Sequence, residues 1–286
     1  MGMPKFAAAI TLALMLAGCG SVPGGQGKRP PPSPPTAALA KWSDFPVNAN
    51  PRPIIWFGDI AEKIGEGQFK TGAAKIAWGC RKFVLAPGLQ LTAGSAGAAA
   101  VRWPSGVSAS YPTIIGSKSA FAAITFQPGA NASLCDAAKP FTIAAVNLDF
   151  ATFSTDRGSA DMTSWVFDIP EVEGSIAYPA LDPSAFWNRG VTVSETSLGA
   201  KVSTDGRTLT VSLVGGPDRG ACGVDYTASA AESTTAVAVA IKGYAHDTNT
   251  VCDLVGYSRR VVVHLKAPLG DRVLVDAGGD VGSAST

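Results

Sequence analysis

An alternation of apolar and polar side chains, broken at short intervals by glycine and proline, constrains this chain more than any other feature. In Thr208-Leu209-Thr210-Val211-Ser212-Leu213 every second residue is aliphatic and the residues between carry hydroxyls. Successive side chains of an extended strand point to opposite faces, so this segment turns Leu209, Val211 and Leu213 inward and leaves the hydroxyls outside. Val237, Val239 and Ile241 alternate likewise with alanines between, and Val261, Val263 and Leu265 alternate with Val262 and His264. Residues 272–276 read as a short final strand, and 75–85, 120–127, 141–150 and 163–169 as further strands upstream. Breaker clusters at 86–88, 128–131, 156–161, 215–220 and 268–271 separate them. Helix is expected only as short turns at 60–64 and 182–188, and the Ala/Gly-rich stretch 93–100 reads as a loop. The chain is therefore predicted to be mostly β, an antiparallel β-sandwich or barrel-like fold, as one domain or as two β subdomains.

The expected organisation is an N-terminal β region over 42–150, a C-terminal β region over 151–278 and a flexible tail over 279–286. Each region holds two cysteines, and the second of each pair opens a Cys-Asp step, Cys135-Asp136 and Cys252-Asp253. A duplicated sandwich with its join within 151–190 would give such a pattern.

The first 18 residues read as a secretory signal. Lys5 supplies a positive start, and 6–16 is apolar apart from Thr11. That run is shorter than the roughly 20 apolar residues a membrane-spanning helix needs. It ends in Leu16-Ala17-Gly18-Cys19. This resembles the lipobox of bacterial lipoproteins. The resemblance implies that the Cys19 thiol receives a diacylglycerol and that cleavage makes Cys19 the first residue. It also implies a cell-membrane location on the extracytoplasmic face, with palmitate-type acylation as the membrane partner. Segment 19–41 continues as a spacer. Its part from Ser21 to Thr36 is Gly, Pro and Ser with Lys28 and Arg29 and has Val22 alone as an apolar residue. Such a composition buries too little to offset ordering entropy, and its proline run favours an extended polyproline conformation.

Charge limits the partners. Lys5, Lys28, Arg29 and Lys41 are four of the 23 basic residues and no acid precedes Asp44, so the remainder carries 19 basic against 22 acidic residues, a net charge near −3. A near-neutral domain of this sign argues against a nucleic-acid partner. An apolar content of 46% is enough for a sizeable core.

Lipidation of Cys19 leaves Cys80, Cys135, Cys222 and Cys252, an even number that suggests disulfides in an exported chain. Three connectivities are possible. Cys80–Cys135 and Cys222–Cys252 are favoured because each pair is close in sequence and within one half. Zinc is the competing use, but no pair has C-x-x-C spacing and only His246 and His264 could assist.

The common catalytic patterns are not found: no G-x-S-x-G, H-E-x-x-H, P-loop or EF-hand spacing occurs, and Gly65-Glu66-Gly67 lacks the third glycine of a dinucleotide site. His264 falls inside a strand pattern. His246 lies in a polar loop and is the better catalytic candidate of the two. Glu171 and Glu173 could serve as a glycosidase pair only if their segment is extended, and a solvated loop is the simpler expectation. Asp156, Asp161 and Asp168 fit no calcium-loop spacing. The tryptophans Trp42, Trp56, Trp78, Trp103, Trp165 and Trp187 could stack sugars, although core packing is their commoner use on a β scaffold. Asp218-Arg219, Arg259-Arg260 and Asp271-Arg272 are expected to form turn and edge ion pairs.

Thr155-Asp156-Arg157-Gly158 precedes Trp165-Val166-Phe167, and later come Ala221-Cys222, Asp225-Tyr226, Cys252, Gly256-Tyr257, Arg259 and the run Pro268-Leu269-Gly270-Asp271-Arg272-Val273-Leu274-Val275-Asp276. Over about residues 141–278 this resembles a group of uncharacterised lipoproteins of high-GC actinobacteria with no assigned activity. The chain departs from that group in carrying Thr163-Ser164-Trp165 where the group has Pro-Ala-Trp. The expected function is that of a membrane-anchored, non-catalytic β-rich lipoprotein that binds an envelope protein or other envelope component, without cofactor or metal. The alternatives are a carrier of an apolar ligand in a β-barrel cavity and an anchored glycan or peptide hydrolase.

Overall fold

The computed structural model of the chain describes residues 29–286 apart from 59, 66–68, 70, 96, 112–113, 126–134, 137 and 188–197. The signal segment, Cys19 and the Gly65-Glu66-Gly67 motif beyond Gly65 lie outside the described residues. Two β units follow one another. The first contains β1 (Trp56–Phe57), β2 (Ala61–Lys63), β3 (Phe83–Leu85), β4 (Gly94–Ser95), β5 (Ala99–Arg102), β6 (Ser108–Tyr111), β7 (Ile114–Ile115), β8 (Phe141–Ile143), β9 (Ala145–Thr155), β10 (Gly158–Ile169) and β11 (Gly174–Pro179). The second contains β12 (Gly199–Val202), β13 (Thr208–Gly215), β14 (Val224–Glu232), β15 (Ala236–Ala245), β16 (Tyr257–His264), β17 (Val273–Asp276) and β18 (Ser283–Ser285).

The spine of the first unit is the β9–β10 hairpin, paired from Thr155–Gly158 down to Ala145–Asp168. Its turn holds only Asp156 and Arg157. Gly158 closes it at φ 84°, a left-handed conformation that a residue with a Cβ adopts at a cost. The sheet runs β1-β9-β10-β11-β2, and the second edge of β10 is divided, with β11 opposite 164–169 and β5 opposite 161–162. β6 extends the sheet beyond β5. The core beneath is aromatic: Trp78, Phe83, Trp103, Phe141, Phe153, Trp165 and Phe167 are buried together with Ile124, Ile143, Met162 and Ile176.

The second unit is a sandwich. One sheet has the order β16-β13-β12-β18 and the other β14-β15-β17. Leu209, Val211, Val261 and Val263 from the first sheet meet Val237, Val239 and Leu274 from the second. These are the residues that the period-two pattern turned inward. Both faces of β15 and β17 are covered. Ala236, Ala238, Val273 and Val275 face outward onto Ala38, Trp42 and Phe45 from the start of the chain. The alanines between the valines of β15 leave room for that segment, which forms α1 (Thr36–Leu39) and a 3-10 turn over Ala40–Trp42. Trp42 Nε1 donates to Gly279 O at 3.0 Å and Lys41 Nζ to Gly278 O at 2.5 Å.

The mostly β class, with several antiparallel sheets, is thus observed, and the sheets are open at their ends, as in a sandwich. Several local expectations change. Of residues 75–85, expected as a strand, 83–85 are extended as β3, but 72–79 form α2 (Gly72–Gly79), capped by Thr71 Oγ1 accepting from Ala74 N. Residues 120–124 lie in α3 (Ser117–Ile124) and not in a strand. Both segments are alanine-rich, which favours helix, and each lays its buried side chains against the first core. The turn expected at 60–64 contains β2, the loop at 93–100 contains β4 and the start of β5, and the turn at 182–188 contains a 3-10 turn over Pro183–Ala185. Three pairings, β3–β8, β12–β18 and β15–β17, are parallel. Residue 150, the expected end of the N-terminal region, lies inside β9, and the first core runs on to Ala185. The expected spacer ends early, since Ala38 is buried. The expected flexible tail is docked: Val281 is fully buried and β18 pairs with β12.

A candidate ligand cleft between the two units

The Thr155-Asp156-Arg157-Gly158 turn projects from the first unit into the second. Thr155 Oγ1 donates to Gly158 O at 2.6 Å and accepts from Arg157 N at 3.1 Å, which fixes the turn. Its two central side chains then diverge. Asp156 is buried and pairs with Arg52 at 2.6 Å, with both side chains almost wholly removed from water. Arg52 Nε also donates to Asp271 O at 2.8 Å in the second unit, its guanidinium lies over Phe45, and its carbonyl accepts from Tyr111 Oη at 3.0 Å. The junction is sealed from the other side by Ala284 N donating to Asp156 O at 2.9 Å and Ser283 Oγ donating to Thr155 O at 3.0 Å. One buried ion pair thus joins the start of the chain, both units and the final strand.

Arg157 turns the other way and stacks on Trp103, with its guanidinium carbon 3.9 Å from the ring centre. Its Nε and Nη2 are buried and have no hydrogen-bond partner. Burial, and then the positive charge of Arg52, lower the affinity of this guanidinium for its proton, while Asp156, Tyr111 and Asp271 oppose that effect. Burial pushes the Tyr111 hydroxyl pKa up, against Arg157 and Arg52. Arg157 and Trp103 line two adjoining clefts. One, of about 360 Å³, is closed by the Ser203–Gly206 turn and by 268–272. The other, of about 660 Å³, opens between 47–52 and β6. Asp271 lines both. Asp156 and Arg157 of the β9–β10 turn and residues 268–272, more than a hundred residues apart in the chain, line the same cleft. An arginine with unused donors beside an aromatic face suits a group that carries acceptor oxygens.

The other residues singled out from the sequence are dispersed. Cys80–Cys135 and Cys222–Cys252 are disulfide-bonded, one in each unit. His264 is exposed on β16, with Nδ1 3.4 Å from Thr208 Oγ1. His246 Nε2 lies 3.1 Å from Asp225 Oδ1, and its Nδ1 3.2 Å from Gly220 O, at the end of the sandwich away from the cleft. Glu171 accepts from Thr142 N, and Glu173 occupies a left-handed turn position, so the two do not face one cleft. Asp161 accepts from Thr152 Oγ1 and Asp168 from Asn147 Nδ2, both on the exposed part of the β9–β10 ladder, apart from buried Asp156. Among the described residues no group of three metal-ligating side chains comes together. Trp42, Trp78, Trp103 and Trp165 are buried, and Trp56 and Trp187 are packed half-buried against the cores. Asp218 and Arg219 form the expected exposed pair at 3.7 Å. Arg272 reaches Glu232 at 3.0 Å instead of its neighbour Asp271. Arg259 donates to Gly216 O and stacks on Tyr226.

Sequence reasoning missed Arg52, and treated Arg157 only as part of a motif. The partners of Arg52 lie 104 and 219 residues away in the chain, and no local pattern records such contacts. No family model, curated protein or solved structure matches this chain.

Proposed function

We propose that this protein is a lipid-anchored, extracytoplasmic lipoprotein whose non-catalytic β-rich domain binds an envelope protein or other envelope component. In this reading the chain is an actinobacterial-type lipoprotein held by acyl chains on Cys19. The bound component offers an acceptor-bearing group, a carboxylate, phosphate or sugar hydroxyl, to the cleft between the units. The observation that carries the reading is Arg157, a half-buried cation that lines a cleft of ligand size and whose buried Nε and Nη2 have no protein partner. Support for export comes from the two closed disulfides, which persist in oxidising compartments.

The test is immunocapture from intact cells after mild crosslinking, comparing the wild-type protein with Cys19→Ala and Arg157→Gln. An antibody to the native domain is preferable to a C-terminal tag, because Thr286 lines the cleft. The expected result is one envelope component enriched with the wild type, reduced for Cys19→Ala and lost for Arg157→Gln. Equal recovery with Arg157→Gln would remove the cleft from the reading, and repeated failure to enrich any component would sink the binding function.

A further inference from the structure

The sandwich has two unlike ends. At one, the turns 203–206 and 268–272 close the cleft around Arg157. At the other, the β13–β14 and β15–β16 loops meet. They are tied by Cys222–Cys252, by His246 N donating to Gly223 O at 2.8 Å, and by Tyr226 Oη accepting from Gly216 N at 3.0 Å. This second end carries an apolar surface. Val214, Val251 and Leu254 are the most exposed large apolar side chains among the described residues, at 79, 96 and 103%. Val255 and Tyr257 adjoin them. Gly256 brings the loop so close to β13 that a Cβ there would collide with Val214. Large apolar side chains displayed together on the outside of a soluble fold mark a contact surface.

The path of the N-terminal segment says what that contact is. Pro30 O accepts hydrogen bonds from Tyr244 Oη at 2.8 Å and Thr227 Oγ1 at 3.2 Å, and Arg29 lies over the Tyr244 ring. Tyr244 is paired with Asp225, one rung from the end of the β14–β15 ladder and next to the apolar loops. The chain thus arrives at this end of the sandwich and then passes to α1 on the outer face. Arg29 is ten positions along from Cys19, a reach of about 30 Å even when extended as polyproline. An acyl group on Cys19 therefore holds this end of the sandwich within about 30 Å of the bilayer.

We infer that Val251, Leu254 and their apolar neighbours form a second membrane contact, which enters the lipid interface and orients the anchored domain with its cleft outward. The inference rests on the lipidation of Cys19 proposed above. The contact is apolar in character: exposed Arg29, Arg219, Lys242 and Arg260 are balanced by Asp218, Asp225, Asp247 and Asp253 on the same end, so it draws on acyl-chain burial more than on anionic headgroups. The disulfide holds the loop in shape beforehand, which lowers the ordering cost of insertion. β15 spans ten residues, so the cleft stands about 30 Å from the lipid surface.

The experiment uses the full chain in a bacterium that processes lipoproteins, with the photoreactive residue p-benzoylphenylalanine at position 254 or, as control, at Val84 on the first unit. After irradiation of intact cells, the peptides bearing each position are analysed by mass spectrometry, together with the peptide beginning at Cys19. The expected result is a phospholipid adduct at 254, its absence at 84, and an unchanged yield at 254 when cells are irradiated in high salt. An acylated Cys19 with no adduct at 254, or with a protein adduct there, would overturn the inference and leave the anchor standing. An unmodified Cys19 would overturn both.

Discussion

The two β units solve the problem of filling a core in different ways. The first packs large aromatic side chains, Trp78, Trp103, Trp165, Phe141, Phe153 and Phe167, under a sheet with a divided edge, and draws on two short helices to fill the remaining space. The second fills its interior with valine, leucine and alanine from two facing sheets. Small β-branched side chains repeat evenly along a pleated strand and demand a regular partner face. Aromatic side chains fill irregular space, so the strands around them can be short and their order complicated. The lesson is that regularity of core chemistry decides how much of a fold is visible in its sequence.

The largest expected effect breaks the link between the two units. Arg52→Ala leaves the Asp156 carboxylate buried without its partner, which costs about 4–5 kcal/mol. Chemical denaturation of the variant should show a sharply lower midpoint, and an unchanged midpoint would mean that the junction contributes little. The disulfides compare the units directly. Replacing Cys80 and Cys135 by serine opens a closure of 55 residues and replacing Cys222 and Cys252 one of 30, so the chain-entropy model expects losses of about 4 and about 3.5 kcal/mol. A larger loss from the second pair would show that its loops hold native structure beyond the entropic constraint.

Core truncation sharpens the contrast further. Val237→Ala removes two methyl groups from the sandwich interior, for about 2 kcal/mol by thermal unfolding. Phe167→Ala in the aromatic core should cost more than Val237→Ala, because the larger void is walled by rings that cannot follow the backbone inward. The smallest effect concerns pH. Burial alone would raise the Glu232 pKa, but hydrogen bonds from Lys266 N, Arg272 and Ala267 N outweigh it and hold this carboxyl below its ordinary range. A depressed folded value gives stability that is full above the unfolded value of about 4.3 and is lost as pH falls through the folded value. Glu232→Gln should therefore be less stable than wild type by about 1 kcal/mol at pH 7, with the gap closing below pH 4 in urea titrations. A gap independent of pH would show that the carboxylate charge is not what the site uses.

The same contrast explains what could be read early. β13, β15 and β16 were legible because Leu209, Val211, Val237, Val239, Val261 and Val263 alternate without interruption. Sequence proximity correctly suggested both disulfides. The helices α2 and α3 were read as strands because 75–85 and 120–127 contain Ile, Trp and Phe, whose burial the first core required without requiring a strand. Arg157 was visible within a motif, but its stacking on Trp103 and its unused donors were not, since they depend on where β5 meets β10.

By itself, the sequence determined the chemistry that acts locally: which residues alternate, where turns interrupt them, and which cysteines stand near one another. Only the tertiary structure decided the rest. It joined Arg52 to Asp156 and Asp271, docked the final residues through β18, brought two distant motifs to one cleft, and set the apolar loops beside the point where the N-terminal segment arrives. These contacts join residues far apart in the chain, and their energy comes from burial and desolvation, which are properties of the assembled surfaces and of no single segment.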